Sequence, residues 1–251
     1  MGVEVSSISD TGLKRQVNQD SILVYRREAK QFFLFAVADG MGGYADGEKA
    51  SSAITGGLRT WLDAMMDTGL FPGPTAFFSG LGEKLSEVSR YIHTELNREQ
   101  ICGSTCVVLF FHEDMYGTFS VGDSRIYAAR AWKNELLTKD DVWENLPEVQ
   151  SRYSPAERRC NPNYGKLTRA IGSSEKLAYS MNTGRLAEGD AFALCSDGIY
   201  KMCSEAFLGR MLRKARHGAL DDVRDGIKKE VFRRGAEDNL SLILVRWNQK
   251  P

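Results

Sequence analysis

Runs of hydrophobic residues predict strands at the start, the middle and the end of the chain, separated by two helical regions. Residues 3–8 and 21–26 have the pattern of short strands. The apolar run 32–38, FFLFAVA, has the length and the aromatic and β-branched content of a strand buried on both faces. An Asp-Gly turn signal follows it, so we predict that this strand ends at Asp39.

Two long helices are predicted after this strand. Hydrophobic side chains recur at helical spacing over residues 50–65, and Asp46 precedes them as a capping residue. A Pro-Gly-Pro break at 72–74 separates this stripe from a second one over residues 78–96. Each stripe indicates a helix with one face against a core.

The second half of the chain returns to the spacing of strands. We interpret residues 103–138 as a meander with tight turns at 113–114, 122–123 and 133–134. Residues 139–165 contain three prolines, many charges and weak periodicity, which is typical of a functional loop, and we interpret them as a flap. Strands are predicted again at 177–183, 190–196 and 240–247, and helices at 199–215 and 219–234.

The order of these elements indicates the fold class. Strands, two helices, strands, two helices and a strand do not form the regular alternation of a parallel doubly wound sheet. The order predicts an α+β fold with antiparallel sheets and helices layered outside them. No internal repeat or linker interrupts the sequence, so we predict a single domain over residues 1–251, with the flap at about 139–165.

Composition excludes several classes of protein. Lys and Arg number 33, as do Asp and Glu, so no global charge favours nucleic acid or an anionic membrane. The five cysteines lack C-x-x-C spacing, which argues against a disulfide framework or a thiolate zinc site, and we expect them in the core. No run approaches the roughly 18 apolar residues of a membrane span, and no signal peptide is evident. We therefore expect a cytoplasmic protein without membrane insertion.

Four aspartates lie next to predicted strand ends: Asp39, Asp123, Asp197 and Asp238. Any one of them is compatible with an ordinary turn, but buried carboxylates that converge repel one another and require cations. Oxygen ligands favour Mg²⁺ or Mn²⁺, and the three scattered histidines form no competing site. Two metal ions bridged by a carboxylate activate water toward phosphorus, so the pattern favours phosphoester hydrolysis.

Seven motifs carry a resemblance to a known family. In chain order they are RQVNQD, VADGMGG, GSTCVV, VGDSRIY, LTRAIG, LCSDGIY and EDNLSLILV, and they extend from residue 15 to residue 245. In order and spacing the chain resembles the metal-dependent protein serine/threonine phosphatases of type 2C, the PPM family, in their bacterial form. The resemblance implies a four-layer α-β-β-α sandwich in which two central antiparallel sheets are flanked by helix pairs.

The resemblance also implies a set of metal ligands. Asp39 would bridge two ions, and the carbonyl of Gly40 would ligate one of them. The remaining implied ligands are Asp197 and Asp238 at the second ion, Asp123 at a third and weaker ion near the flap, and Asp20 through a bound water molecule. Glycines 40, 42 and 43 would leave room for the backbone to approach a ligand closely.

Arg15 matches the phosphate-binding arginine of the family, whose planar guanidinium fits two phosphate oxygens. The implied catalytic residues are thus Arg15, Asp39 and Asp197.

The chain departs from the family pattern at two positions. The family often has Glu where this chain has Gln19, and some members have a His, a proposed general acid, where this chain has Met41. Protonation of the leaving group would then come from water. The remaining motif residues, Ser124, Thr168, Arg169 and Asn239, are expected to support turns and the end of the flap.

The implied activity is Mn²⁺- or Mg²⁺-dependent hydrolysis of phosphoserine and phosphothreonine in proteins, with two or three ions per chain and no phosphoenzyme. The chain lacks the C-x₅-R loop of thiolate phosphatases. We expect a monomer that opposes a bacterial Ser/Thr kinase. Two alternatives stay open: a catalytically weak phosphoprotein-binding regulatory module, at which Gln19 and Met41 hint, and a phosphatase for small molecules.

Overall fold

Two antiparallel sheets lie face to face at the centre of the fold. The structure, a computed structural model, describes residues 2–42, 46–67, 73–97, 102–131 and 133–248. The first sheet contains, in spatial order, β1 (Gly2–Asp10), β11 (Leu240–Asn248), β10 (Ala191–Cys195), β7 (Arg125–Ala129) and β8 (Asn134–Leu136). The second contains β2 (Asp20–Arg27), β3 (Phe32–Gly42), β5 (Cys106–His112), β6 (Met115–Val121) and β9 (Ser180–Arg185), and β4 (Cys102–Ser104) pairs with the end of β3.

A pair of helices covers the outer face of each sheet. The second sheet is covered by α1 (Gly47–Asp67) and α2 (Pro74–Tyr91), which continues as a π-helical turn, Ile92–Leu96. The first sheet is covered by α6 (Glu205–Ala215) and α7 (Leu220–Arg233), preceded by the single turn α5 (Asp197–Tyr200). This α-β-β-α layering confirms the predicted fold class.

Alternation along β3 explains why the apolar run 32–38 is buried throughout. One series of its side chains, Phe32, Leu34, Ala36 and Ala38, packs against α1 and α2, and the other, Phe33, Phe35 and Val37, packs between the two sheets. Because side chains alternate along a strand, Asp39 continues the second series. Its carboxylate therefore lies where the core between the sheets ends.

Two other strands carry polar residues to the same place. In β2, Ile22 and Val24 pack against the core between the sheets, and Asp20 continues their series. In β10, Phe192 and Leu194 belong to that core, and Ser196 follows them beyond the strand end. The alternation of the buried strands thus gathers polar side chains at one edge of the inter-sheet core.

The prediction that β3 ends at Asp39 is wrong. The strand continues to Gly42, because Gly40, Met41 and Gly42 pair with Ser104, Gly103 and Cys102 of β4. This pairing joins residues far apart in the chain, which a local turn signal does not reveal. The strand extension fixes the backbone on both sides of Asp39.

The interpretation of residues 103–138 as one meander is wrong in part. The hairpin between β5 and β6 and the pairing of β7 with β8 are present, but β6 and β7 lie in different sheets. The turn between them, with Gly122 at a φ of 93°, carries the chain from the second sheet to the first. Asp123 follows this glycine and therefore lies where the two sheets meet.

The remaining expectations concern the flap, the cysteines and the membrane. The segment predicted as a flap contains two short helices, α3 (Pro147–Arg152) and α4 (Pro155–Arg159). Cys160 at the end of α4 is exposed, which corrects the expectation that it lies in the core, whereas the other four cysteines are buried. Among the described residues, no helix combines the length and the hydrophobicity that a membrane span requires.

Candidate active site

A pocket of about 410 Å³ opens at the edge where these strand ends meet. It is lined by six of the seven predicted metal-binding and catalytic residues, Arg15, Asp39, Gly40, Asp123, Asp197 and Asp238, and also by Lys201 and by residues 165–167. Asp20 is buried near these groups and does not line the pocket. The structure therefore brings together the side chains of the predicted site.

The backbone of Asp39 is fixed by the residues that join β4 to β5. Its N–H donates to Thr105 Oγ1 at 3.1 Å, and its carbonyl accepts from Thr105 N at 2.9 Å and from Ser104 Oγ at 3.0 Å. Thr105 Oγ1 also lies 2.7 Å from Ser124 Oγ, next to Asp123. Ser124 thus contacts Thr105, which in turn binds the backbone of Asp39, in line with the supporting role expected from the sequence.

Asp20 lies directly opposite Asp39 on the neighbouring strand. Its Oδ2 accepts a hydrogen bond from Ser196 Oγ at 2.7 Å, but its Oδ1 is buried without a hydrogen-bond partner. Burial raises the pKa of Asp20 to about 6. The hydrogen bond from Ser196 opposes this rise, and the charges of Asp197 and Asp238 add to it. An unpartnered buried carboxylate oxygen is unfavourable, so this group fits a polar or cationic partner.

The other carboxylates also act on one another. Burial, followed by the charges of Asp20 and Asp197, raises the pKa of Asp39 well above its ordinary value. Burial, followed by the charge of Asp197, raises the pKa of Asp123 as well. The site therefore carries more negative charge than its own surroundings neutralise.

Arg15 and Asp238 form a forked ion pair at one side of the pocket. Arg15 Nε lies 2.8 Å from Asp238 Oδ1, and Nη2 donates to Oδ2 at 2.9 Å. Asn239 holds the loop that carries Arg15, because its Nδ2 donates to the carbonyls of Thr11 and Val17 at 3.0 Å and its Oδ1 accepts from Gln19 N at 2.9 Å. The arginine and the carboxylate thus belong to one hydrogen-bonded unit.

Lys201 lies at the opposite side of the pocket, and the sequence reasoning missed it. Its Nζ contacts Asp197 Oδ2 and lies 4.0 Å from Asp123 Oδ2. Tyr200 donates from its hydroxyl to the same Asp123 oxygen at 3.1 Å. The signal for Lys201 is its place four residues after Asp197, a spacing at which oppositely charged side chains meet on a helical turn.

The donor set suits a hard divalent cation, since it consists of carboxylate and carbonyl oxygens and includes the unpartnered Oδ1 of Asp20. In the described part of the chain, however, no three His, Cys, Asp or Glu side chains are placed to hold one ion together. Two cations of the chain engage these carboxylates, because Arg15 contacts both oxygens of Asp238 and Lys201 contacts Asp197. Binding of metal at Asp238 therefore requires Arg15 to release an oxygen, whereas Lys201 engages only Oδ2 of Asp197.

The end of the segment 139–165 and the two residues after it lie at one side of the pocket. Residues 165–167 line it, and the Lys166 carbonyl accepts a hydrogen bond from Trp143 N at 2.9 Å. At the end of the segment, Thr168 N donates to the Asp141 carbonyl at 2.8 Å and Arg169 Nη1 donates to Asp141 Oδ1 at 3.2 Å. Asp141 Oδ2 accepts from Gly122 N at 3.1 Å, so the flap region is tied to the turn that carries Asp123.

The two departures from the family pattern both lie at the pocket. The Gln19 carbonyl accepts from Gly40 N at 3.0 Å and from Ser51 Oγ at 2.6 Å, so this residue connects β2, β3 and α1 through its backbone. Met41 lines the pocket, and its thioether provides no proton donor. Gly43 lies outside the described residues.

Comparison with known proteins agrees with this geometry. The model of the family described as protein phosphatase 2C matches residues 13–231. The protein phosphatase PhpP of Streptococcus pneumoniae is 27% identical over 252 residues, which covers 99% of this chain and 99% of PhpP. The serine/threonine protein phosphatase PstP of Mycobacterium tuberculosis is 27% identical over 249 residues, which covers 94% of this chain and 43% of PstP.

A solved structure shows the same likeness in three dimensions. The catalytic domain of PstP in complex with two manganese ions matches with a TM-score of 0.78 at 25% identity, covering 98% of this chain and 99% of that one. The family match spans most of the chain, and each of the seven motifs contributes at least one residue to the lining of the pocket. The chain therefore belongs to the protein phosphatase 2C family.

Proposed function

We propose that this chain is a metal-dependent phosphatase that hydrolyses phosphoserine and phosphothreonine in proteins. The observation that carries the proposal is the convergence of Asp39, Asp197 and Asp238 with Arg15 in one pocket. The carboxylates come from both sheets and have no purely structural reason to meet, because their mutual repulsion is unfavourable. Membership of the family and the names of the bacterial relatives support the same activity.

The proposed ions are two Mn²⁺ or Mg²⁺, held by Asp39, the Gly40 carbonyl, Asp197 and Asp238. The two manganese ions of the PstP structure support Mn²⁺ as the first choice. When bound, such ions polarise the phosphoryl group and lower the pKa of water to provide a nucleophile. Asp123 lines the same pocket, and Asp20 is proposed to hold a water molecule at its free Oδ1.

The residues of the chain itself would bind and orient the phosphate. Arg15 has a planar guanidinium on an exposed loop, and on release from Asp238 it could donate to two phosphate oxygens. Asp39 is held by its backbone rather than by its side chain, so its carboxylate stays directed toward the pocket. Met41 donates no proton, and we propose water as the proton donor for the departing alkoxide.

Further parts of the proposal concern the biological setting. We propose that the substrates are phosphoproteins, that the chain opposes a Ser/Thr kinase as a cytoplasmic monomer in signalling, and that residues 139–165 act as the flap of a single domain. Gly165 at the end of this segment lines the pocket, which supports a role of the segment in binding substrate. The alternative of a catalytically weak binding module is less favoured, because Asp39, Asp197 and Asp238 are all present at the pocket.

The test compares phosphate release from a phosphothreonine peptide and from a sugar phosphate in Mn²⁺. We expect the wild-type protein to hydrolyse the peptide, and we expect Asp39→Asn to reduce kcat by about a hundredfold or more, because it removes a proposed bridging charge. Asp222→Asn, which changes an exposed carboxylate on α7, should leave the activity unchanged. Full activity of Asp39→Asn would contradict the mechanism, and turnover of the sugar phosphate alone would favour a small-molecule phosphatase.

A further inference from the structure

Lys201 places a cation between two carboxylates of the site. Its Nζ contacts Asp197 Oδ2 and lies 4.0 Å from Asp123 Oδ2. Asp123 is buried, and the Asp197 side chain is 18% exposed, so neither carboxylate is fully solvated. The Lys201 side chain is 55% exposed and lines the same pocket. A charged group from the chain itself therefore lies where two acidic side chains face each other.

The local backbone holds Lys201 in this position. The single turn α5 begins at Asp197, and Lys201 N donates to the Asp197 carbonyl at 2.9 Å. The two side chains are thus one helical turn apart, with the acidic residue first, which is the favourable order for an ion pair of this spacing. Lys201 engages Oδ2 of Asp197 and leaves Oδ1 for the pocket.

Asp123 is fixed from its other side. Tyr200 donates to Asp123 Oδ2 at 3.1 Å, and the Tyr200 ring stacks beneath the Arg125 guanidinium at 3.8 Å. Arg125 in turn binds both oxygens of Asp140, with contacts of 2.8 to 3.2 Å. The Asp123 carboxylate is therefore held beside Lys201 by a chain of contacts.

The charge of Lys201 is maintained in this environment. A lysine side chain carries a positive charge, and Lys201 lies between the carboxylates of Asp197 and Asp123. It contributes an ammonium group to the pocket. Like charges repel each other strongly in a partly buried pocket. The Lys201 ammonium therefore opposes the binding of a divalent ion between Asp123 and Asp197.

We propose that Lys201 is a built-in cation that takes the place of a metal ion between Asp123 and Asp197, so that this chain binds two divalent ions and not three. The inference rests on the proposed two-metal site. Asp123 then pairs with Lys201 and not with a third ion, whereas the resemblance to the family implied that Asp123 is a ligand of a third ion. Lys201 is in this sense a residue that sets the number of metal ions.

The test counts bound Mn²⁺ by electron paramagnetic resonance and calorimetric titration of the metal-stripped protein. We expect two ions for the wild type and three for Lys201→Gln, since the loss of the ammonium frees Asp123 and one oxygen of Asp197. The additional ion should disappear in the double variant Lys201→Gln with Asp123→Asn. Lys201→Arg, which keeps the charge, and Lys84→Gln, which breaks a lysine–glutamate pair on α2, should both bind two ions.

The outcomes separate the two proposals. Three ions in the wild type, or two ions at unchanged affinity in Lys201→Gln, would overturn the assignment of Lys201 and leave the two-metal site intact. Absence of Mn²⁺ binding by the wild type would overturn the metal site itself. If Lys201→Gln fails to give the circular dichroism spectrum of the wild type, Lys201→Met provides the same loss of charge, and an unchanged count of two ions in that variant would overturn the inference.

Discussion

At the scale of single residues, Asp20 and Asp39 are the most unusual pair, because two carboxylates lie directly opposite each other on adjacent strands. Like charges in this position destabilise a sheet. Asp20 is also buried, with one oxygen unpartnered. The pair is therefore unfavourable for folding of the metal-free protein, which is the expected signature of a site kept for binding a cation rather than for stability.

The pKa of Asp20 predicts a pH dependence of the metal-free protein. Folding raises this pKa from 3.8 to about 6, so the folded state binds the proton more tightly and stability falls as the pH rises through this window. As the pH rises from about 4.5 to about 7 in EDTA, the free energy of unfolding should fall by about 2 kcal/mol more in the wild type than in Asp20→Asn. Urea unfolding at a series of pH values measures this difference, and parallel pH profiles of the two proteins would refute the prediction.

Arg15 gives a second prediction at this scale. Replacement of Arg15 by Ala removes the proposed phosphate donors, and hydrogen bonds to charged groups contribute about 1.5–3 kcal/mol each. We expect Arg15→Ala to raise KM for an aryl phosphate about 10- to 100-fold with a smaller change in kcat. Steady-state kinetics in saturating Mn²⁺ provide the measurement. An unchanged KM would remove Arg15 from phosphate binding, and Arg27→Ala, at an exposed ion pair with Asp63, is the control.

At the scale of elements, the end of β3 depends on a close approach of three backbone segments. A Cβ on Gly40 would lie 2.1 Å from the Gly47 carbonyl oxygen and 2.5 Å from that of Gln19. These are backbone atoms of α1 and of the residue preceding β2, which have little freedom to move. Gly40 is thus required by the packing of the chain itself, in addition to any approach of a ligand.

A pair of glycine substitutions tests this packing. Gly40→Ala should destabilise the protein by more than about 3 kcal/mol, because overpacking against backbone cannot be relieved by side-chain motion. Gly56→Ala, on the exposed face of α1 with no atom near its Cβ position, should stabilise it by about 0.5–1 kcal/mol through helix propensity. Chemical denaturation measures both. Equal stabilities of the two variants would show that the contacts at Gly40 are not restrictive.

The elements also show how far sequence reasoning reaches. The burial of residues 32–38 could be predicted, because a strand that is apolar on both faces has few other places in a fold. The extension of β3 to Gly42 and the change of sheet at Gly122 could not, since both depend on pairing with strands distant in sequence. Local turn signals mark where the chain bends, but they do not reveal which sheet it enters next.

The same limit applies to the site. Asp39, Asp197 and Asp238 could be singled out because each follows or precedes a buried strand, and their resemblance to family motifs gave them roles. The contact of Lys201 with Asp197 depends on a helical turn that begins at Asp197 itself. The free Oδ1 of Asp20 depends on its burial behind the pocket. Both features follow from tertiary packing, which spacing in the sequence does not specify.

At the scale of the whole molecule, the candidate metal ligands come from both sheets. Asp20 and Asp39 belong to the second sheet, whereas Asp197 and Asp238 adjoin strands of the first. Ions bound between them would link the two sheets at the edge of the core that separates them. The metal site is therefore expected to contribute to stability as well as to catalysis.

Removal of metal should thus lower the melting temperature. If Mn²⁺ binds only the folded state, a free concentration about 1,000 times Kd adds about 4 kcal/mol to the free energy of unfolding. For a chain of this size that corresponds to an increase in Tm of about 8–16 °C. Differential scanning calorimetry of the metal-stripped protein with and without Mn²⁺ measures the shift, and the shift should be absent in Asp39→Asn. A Tm independent of Mn²⁺ in the wild type would contradict a site between the sheets.

The most direct test of the central claim is phosphate release from a phosphothreonine peptide by the metal-stripped protein, measured before and after addition of Mn²⁺. A phosphatase centre built from carboxylates of both sheets predicts no release in EDTA, rapid release in Mn²⁺, and loss of that release in Asp197→Asn with the fold preserved. Phosphate release in EDTA, or undiminished release by Asp197→Asn in Mn²⁺, would contradict it.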